Sequence, residues 1–387
     1  MKGVREGRAR CREHWRDARR VLAVRLDAFG DVLMTTPAFH AIKASAPRAH
    51  LTVLTSPGGA EAARLSPDVD EVVVYEAPWM KATRPRASSG PDREIVERLR
   101  AAEFDAAAIF TVYSQNPYAA ALLCYLAEIP RRLAHCRENP YQLLTHWVPE
   151  SEPEACVRHE VRRQLDLVST VGWRSLDERL RLAIPPDAHA RVGALLAGTG
   201  IDAERPWLAV HPGASAPSRR YPAARFAEAV RSLALEHGWQ IVLTGARSEA
   251  PLVEAVRRQA DVPAVSLAGR LDLGELAALL ARAPLLLSNN TGPVHVASAV
   301  GTPVVDLYAL TNPQHTPWLV PSRVLYEDVP CRNCYKSVCP AGHHECLLGV
   351  PVRRVVAAAL ELASRAGDPA PTRLAGGEGV AATGGAR

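Results

Sequence analysis

Short apolar runs alternate with segments of helical periodicity along this chain, and they do so in two successive sets. In the first, residues 21–24, 51–54, 72–75 and 106–110 read as strands, separated by helix-like stretches at 38–44, 93–101 and 118–126. A further helix spans 158–171 and stops at Gly172, a residue that accepts the backbone turn ending many helices. In the second set, strands are expected at 208–210, 240–243, 285–287 and 303–308, with helices at 223–236, 274–282 and 293–300. Strands alternating with helices imply parallel βαβ units with right-handed crossovers. The fold class is therefore α/β: two Rossmann-like, doubly wound domains facing one another across a cleft. A length of 387 residues suits two such cores.

The expected boundaries follow the same punctuation. Residues 1–20 form a basic N-terminal extension, 21–184 the first domain, and Pro185-Pro186 opens a linker over 185–206. The second domain occupies 207–350 and a closing helix 351–365. The tail, 366–387, is rich in Gly and Ala, has few large apolar residues, and is expected to be disordered. Formal charge is only +5, with the basic excess concentrated in the first segment. That segment reads either as a solvated terminus or as a weak attractor for an anionic membrane face. No apolar run reaches the about 18 residues of a membrane span, and the N-terminal segment lacks the apolar centre of a secretory signal. The chain is expected in the cytoplasm, with peripheral contact at the inner membrane face left open. Scattered basic residues and 5% aromatics argue against a nucleic-acid partner.

Ligands of open α/β sheets gather beyond the carboxyl ends of the strands, so the strand-to-helix turns carry the chemistry. In Arg25-Leu26-Asp27-Ala28-Phe29-Gly30-Asp31, a carboxylate follows a glycine where strand gives way to helix. Asp31 is either the cap of that helix or a base facing a substrate. The second half offers three turns with an anion-binding character: His211-Pro212-Gly213-Ala214-Ser215 followed by Arg219-Arg220, then Thr244-Gly245-Ala246-Arg247, then Asn290-Thr291-Gly292-Pro293. Small residues leave backbone amides free, Pro293 suits the first helical position, and the helix dipole attracts phosphate. Arg219 adds a guanidinium able to grip a diphosphate. His295, one turn in, either faces the ligand or packs beneath the sheet. The first turn lacks Gly-x-Gly-x-x-Gly, which argues against a dinucleotide-dependent oxidoreductase.

The segments RLDAFGDVLMTTPAFHAIK, HEVRRQLDLVSTVG, HPGAS with RRYP, and SNNTGPVHVASAVGTPVV resemble those of glycosyltransferase family 9, the ADP-heptose:lipopolysaccharide heptosyltransferases. The resemblance runs from residue 21 to about 350. It implies a GT-B arrangement, with the acceptor mostly on the first domain and the nucleotide sugar mostly on the second. It also implies inverting transfer with no metal ion or other cofactor. Asp31 then matches the catalytic base, Arg219 the cation on the donor phosphates, and Thr291 and Gly292 the turn under the diphosphate. With the turns read above, the donor site is expected to comprise Gly30, His211, Gly213, Ser215, Gly245, Arg247, Asn290, Thr291, Gly292 and His295. The implied partners are ADP-heptose and a glycan or glycolipid acceptor, usually a lipopolysaccharide core. A different nucleotide sugar, a different acceptor, or nucleotide binding without turnover are the alternatives.

Two departures from the family pattern stand out. Asn290 occupies a position where many members carry aspartate, and Ala309-Leu310-Thr311-Asn312-Pro313 replaces Gly-Pro-Thr-Asp-Pro. Both changes are expected to remove a carboxylate from the nucleotide site. Lys81, Arg84, Arg86, Arg131 and Arg132 read as surface charge or as contacts to acceptor phosphates. Cys331-x2-Cys334-x4-Cys339-x6-Cys346, with His343 and His344, admits a structural metal, a disulfide or free thiols, because its later gaps fit no standard finger.

Overall fold

The structure is a computed structural model and describes residues 15–81, 83–202 and 204–365. Its first sheet contains β1 (Arg20–Arg25), β2 (His50–Thr55), β3 (Glu71–Val74), β4 (Ala106–Ile109), β5 (Arg131–Cys136) and β6 (His146–Pro149), in the order β3-β2-β1-β4-β5-β6. The second contains β7 (Trp207–His211), β8 (Gln240–Leu243), β9 (Ala264–Ser266), β10 (Leu286–Asn289), β11 (Val304–Leu307) and β12 (Ser322–Leu325), in the order β12-β11-β10-β7-β8-β9. All neighbouring strands are parallel. Each sheet therefore has the doubly wound order in which winding reverses beside the first strand. That reversal opens a crevice between β1 and β4 in one lobe and between β7 and β10 in the other, where ligands of such sheets bind.

Helices cover both faces, so the central strands are predominantly apolar; β1, β2 and β7 are buried almost end to end. The first lobe carries α1 (Phe29–Ser45), α2 (Ala60–Arg64), α3 (Gly90–Ala101), α4 (Tyr118–Leu126) and α5 (Glu160–Ser169). After α6 (Pro186–Ala197), the second lobe carries α7 (Ala223–Leu235), α8 (Ala250–Ala260), α9 (Leu273–Leu280), α10 (Gly292–Val300), α11 (Glu345–Leu348) and α12 (Val352–Arg365). One apolar cluster is common to both lobes, running from Val21, Phe39 and Ile42 to Leu273, Ala277, Val294 and Val296. Separate clusters lie under the outer face of each lobe. Among the described residues no helix is long and apolar enough to cross a membrane.

The structure departs from the sequence reading in three places. The last residues of the expected extension are docked: Trp15 is fully buried, edge-on to Trp173 at 5.0 Å and to His146 at 5.1 Å. The rest of the extension and the expected disordered tail lie outside the described residues. The expected linker is mostly the helix α6, which Pro186 opens and whose Ala188, Val192 and Leu196 are buried. Short or edge strands went unread. These include β9, three residues long, and β6 and β12, half exposed, so their apolar signal is weak. The expected closing helix is present as α12, packed on α7, β11 and β12 of the second lobe.

Trp15 ties the chain entry to Trp173, whose indole N–H donates to the Trp15 carbonyl at 3.2 Å. Removing a wholly buried tryptophan leaves a cavity costing about 3–5 kcal/mol. Trp15→Ala is expected to lose that much in denaturant unfolding; a loss within 0.5 kcal/mol, a margin typical of surface positions, would show this docking to be incidental.

Candidate active site

The turn after β1 folds its polar side chains around one buried cation. Arg25, the last residue of β1, has no exposed surface. Its Nε lies 3.1 Å from Asp27 Oδ2, and its Nη2 lies 3.2 Å from Asp31 Oδ1 and 3.0 Å from Glu160 Oε1. Burial alone would weaken its hold on the proton, but Asp27, Glu160 and Asp31 together keep the guanidinium firmly charged. One cation cannot fully compensate three carboxyls. Burial pushes Asp31 above its ordinary range; Glu160 adds to the rise, and Arg25 and Arg219 oppose it. Asp27 rises for similar reasons, burial first, although Gln115 donates to it at 2.6 Å. Asp31 stands in the first turn of α1, but no side chain caps that helix. Its side chain keeps a quarter of its surface exposed.

That exposed edge borders a cavity of about 910 Å³ in the first lobe. The cavity lies beyond the carboxyl ends of β1 and β4, and Trp79, Met80, Phe110 and Tyr118 supply apolar wall. Of the cations singled out in the sequence, only Lys81 lines it. Arg86 pairs with Asp92 at 2.5 Å. Arg131 donates to the Asp105 carbonyl, and its guanidinium lies 5.8 Å from the Trp15 ring centre. Arg132 is buried and donates to the carbonyls of Ile129, Gln142 and Leu143. It is neither a surface charge nor an acceptor contact: it holds the loop between β5 and β6.

Across the cleft, α10 begins at Gly292 after β10, with Pro293 at its start. The two lobes meet here through their smallest residues. A Cβ on Gly292 would fall inside the Phe29 ring, and one on Gly30 would sit 2.9 Å from His295 Cδ2. Arg219 reaches the same space from the short turn Pro217–Arg219. Its positive charge acts on Asp31 in the first lobe and on Asp306, His295 and His315 in the second. Burial, with help from His159 and Arg219, lowers His295 to about 3, so its imidazole is neutral. Four polar atoms in this space are buried without a hydrogen-bond partner among the described residues: Arg219 Nε, His295 Nδ1, His315 Nε2 and Asp306 Oδ1. Native interiors rarely leave such atoms unpaired, so this cradle has the chemistry of a polar-ligand site.

The other expected donor residues divide. Asn290 is buried and donates through Nδ2 to the His315 carbonyl at 2.9 Å and to Asp306 Oδ2 at 3.2 Å. Asp306, inside β11, supplies the carboxyl that the sequence suggested was missing. Burial pushes it up to about 8 against Asn290 and Arg219, so it is largely neutral at pH 7. It went unread because it interrupts an apolar strand run. His211 turns inward, with Nδ1 3.1 Å from Thr244 Oγ1 and Nε2 3.5 Å from Glu249 Oε2. Gly213 and Gly245 leave room for Glu249 and Val253 respectively. Ser215 and Arg247 are exposed on the rim.

The cysteine segment packs beside the cradle. Cys331, Cys334 and Cys339 are half-buried and Cys346 is buried, all as free thiols. Among the described residues no group of three or more His, Cys, Asp or Glu is arranged to hold a metal ion. The segment also braces the Arg219 turn. Ser218 donates to the carbonyls of Ser337 at 3.1 Å and Lys336 at 2.7 Å, and His344 Nε2 lies 2.7 Å from the Ser218 carbonyl. Tyr335 from the same segment meets Tyr113 of the first lobe, hydroxyl to hydroxyl, at 2.7 Å.

Two Rossmann-type lobes facing one another across a cleft define the GT-B fold class. Comparison with known proteins narrows this. The chain belongs to glycosyltransferase family 9 (heptosyltransferase), whose family profile matches residues 93–344. It is 24% identical over 354 residues to lipopolysaccharide heptosyltransferase 2 of Salmonella typhimurium, covering 87% of this chain and 96% of that one. The fold is similar to that of a glycosyl transferase family 9 protein from Veillonella parvula, with a TM-score of 0.75 and 21% identity over 90% of this chain and 97% of that one. It is also similar to E. coli ADP-heptose lps heptosyltransferase II, with a TM-score of 0.69 and 23% identity over 89% and 99% of the two chains.

Asp306 gives the cradle a definite pH response. Its carboxyl is neutral below about 8 and adds a negative charge beside Arg219 above it. Calorimetric affinity for a nucleoside diphosphate is therefore expected to weaken as pH rises through that value. Asp306→Asn should flatten the profile; an unchanged profile would mean that the ligand does not sense this carboxyl.

Proposed function

We propose that this enzyme transfers heptose from ADP-heptose to a glycan acceptor of the lipopolysaccharide-core type, with inversion, without a metal ion, and with Asp31 as general base. The observation that carries this reading is the opposition of Asp31, at the edge of the first-lobe cavity, to Arg219 and the start of α10 across the cleft. The names of the similar proteins support the donor and the acceptor class.

In this reading the acceptor sugar lies in the cavity with a hydroxyl against Asp31. As that oxygen attacks the anomeric carbon, its proton passes to the carboxylate. The new C–O bond forms on the face opposite the bond that breaks, and the electron pair of the broken bond leaves with the diphosphate. A carboxyl raised above its ordinary range is the stronger base for an alcohol proton. Charge gathering on the leaving group is met by Arg219 and by the free amides and dipole of α10. Neutral His295 can donate or accept beside the phosphates without competing for their charge. The expected donor residues Gly213, Gly245, Asn290, Thr291, Gly292 and His295 shape this wall and Gly30 faces it from the first lobe; His211 acts indirectly, through Thr244 and Glu249. A glycolipid acceptor would draw the protein to a membrane face.

The test is transfer from ADP-heptose compared with UDP- and GDP-sugars, read by mass spectrometry of the product. Only the ADP sugar is expected to react. Asp31→Ala should lower kcat by about 10²–10⁴-fold with nucleotide affinity nearly unchanged; retained turnover would return Asp31 to a structural role. Arg219→Ala should weaken nucleotide binding and lower kcat together, by about 10²-fold or more.

A further inference from the structure

Glu160 is a wholly buried carboxylate that the proposed chemistry does not use. It opens α5, and its Oε1 shares Arg25 Nη2 with Asp31, at 3.0 Å and 3.2 Å respectively. The same oxygen accepts from Gln164 Nε2 at 2.7 Å. Arg163 and Gln164, on the same helix, both donate to the Thr111 carbonyl just beyond β4, at 3.0 Å each. The start of α5 is thus fastened to both strands that flank the first-lobe crevice. Its neighbour His159 reaches across the cleft, stacking on Trp318 at 4.4 Å with Nε2 2.9 Å from the Thr316 carbonyl. Glu160 therefore stands where the contact between the lobes meets the group that holds Asp31.

We propose that Glu160 is a positioning residue which, by taking part of Arg25, keeps Asp31 from being locked into an ion pair and leaves its carboxylate free to accept a proton. This rests on the reading of Asp31 as the base. A guanidinium directs its charge along fixed N–H bonds. Without Glu160, Nη2 and its charge would turn wholly to Asp31 and Asp27, which would hold the carboxylate tighter and weaken it as a base. The charged and titratable groups facing Asp31 are Arg25 from β1, Asp27 from the turn, Glu160 from α5, and Arg219 from the second lobe; His295 faces the neighbouring Gly30. Glu160 has no exposed surface, so it touches no substrate; it acts through Arg25 and through its own charge beside Asp31.

The test is the pH profile of kcat for heptosyl transfer in Glu160→Gln, which keeps the shape and removes the charge. The acidic limb is expected to move to lower pH by about one unit, and the plateau to fall about tenfold. ADP affinity should stay within about twofold of wild type, because the donor cradle is on the other lobe. Glu160→Asp should restore part of the plateau. A limb that stays put or moves upward, or ADP affinity falling as far as kcat, overturns the proposal. Should Glu160→Gln fail to fold, Arg25→Met with Glu160→Met removes the pair together. Asp31 then loses its nearest cation, the limb should rise, and an unmoved limb overturns the proposal. Asp31→Asn separates the two readings. Turnover retained there removes the base assignment itself, whereas a dead Asp31→Asn beside an unshifted Glu160→Gln profile removes only the role of Glu160.

Discussion

The site depends on two helix amino termini being brought nose to nose. Helix α1 begins at Phe29 and α10 at Gly292, and the aromatic ring of one lies where the other has no side chain. Each terminus carries a partial positive charge from its unpaired amides. Together with Arg25 and Arg219 they form the positive field in which Asp27, Asp31, Asp306 and Glu160 are tolerated at such depth. A larger residue at 292 or at 30 would drive the lobes apart and weaken that field for every one of these carboxyls. The glycines are needed for the close approach, since neither has a positive φ.

Charge in the cleft is kept short of neutrality. Arg25 answers three carboxyls and Arg219 makes no ion pair among the described residues. The first lobe is thus left with surplus proton affinity and the second with surplus positive charge. A transfer reaction that releases a proton on one side and a diphosphate on the other needs that polarity. Folding both surpluses into buried sites is costly, and the shared apolar cluster beneath them is what offsets the cost.

Most of the architecture was legible because parallel central strands are buried on both faces, so runs such as 21–24 and 51–54 stand out. What escaped notice was polar or short. β5 begins with Arg131-Arg132, which reads as surface charge until the loop carbonyls that Arg132 satisfies are seen. Asp306 hides inside a strand, and Glu160 inside a helical stretch. Asn290 beside Asp306 and Arg25 beside Glu160 lie on other elements, 135 residues away for the second pair, which no local pattern encodes. His211 stands out because it ends a strand at the crevice; that its ring meets Thr244 and Glu249 is not visible in the sequence. Asp31 and the α10 turn were legible because a glycine, a carboxylate and an N1 proline leave a local signature.

The apolar cluster common to both lobes has a mechanical corollary. A hinge that parted the lobes completely would expose Phe39, Val294 and their neighbours to water. Breathing of the cleft is therefore confined to its upper lip, where single polar contacts such as Tyr113 with Tyr335 and Trp318 with the Glu178 carbonyl span the gap. Such contacts can be exchanged for water at little cost, while the floor stays shut. Heat or denaturant should accordingly melt the two lobes as one unit rather than in sequence, despite their separate sheets.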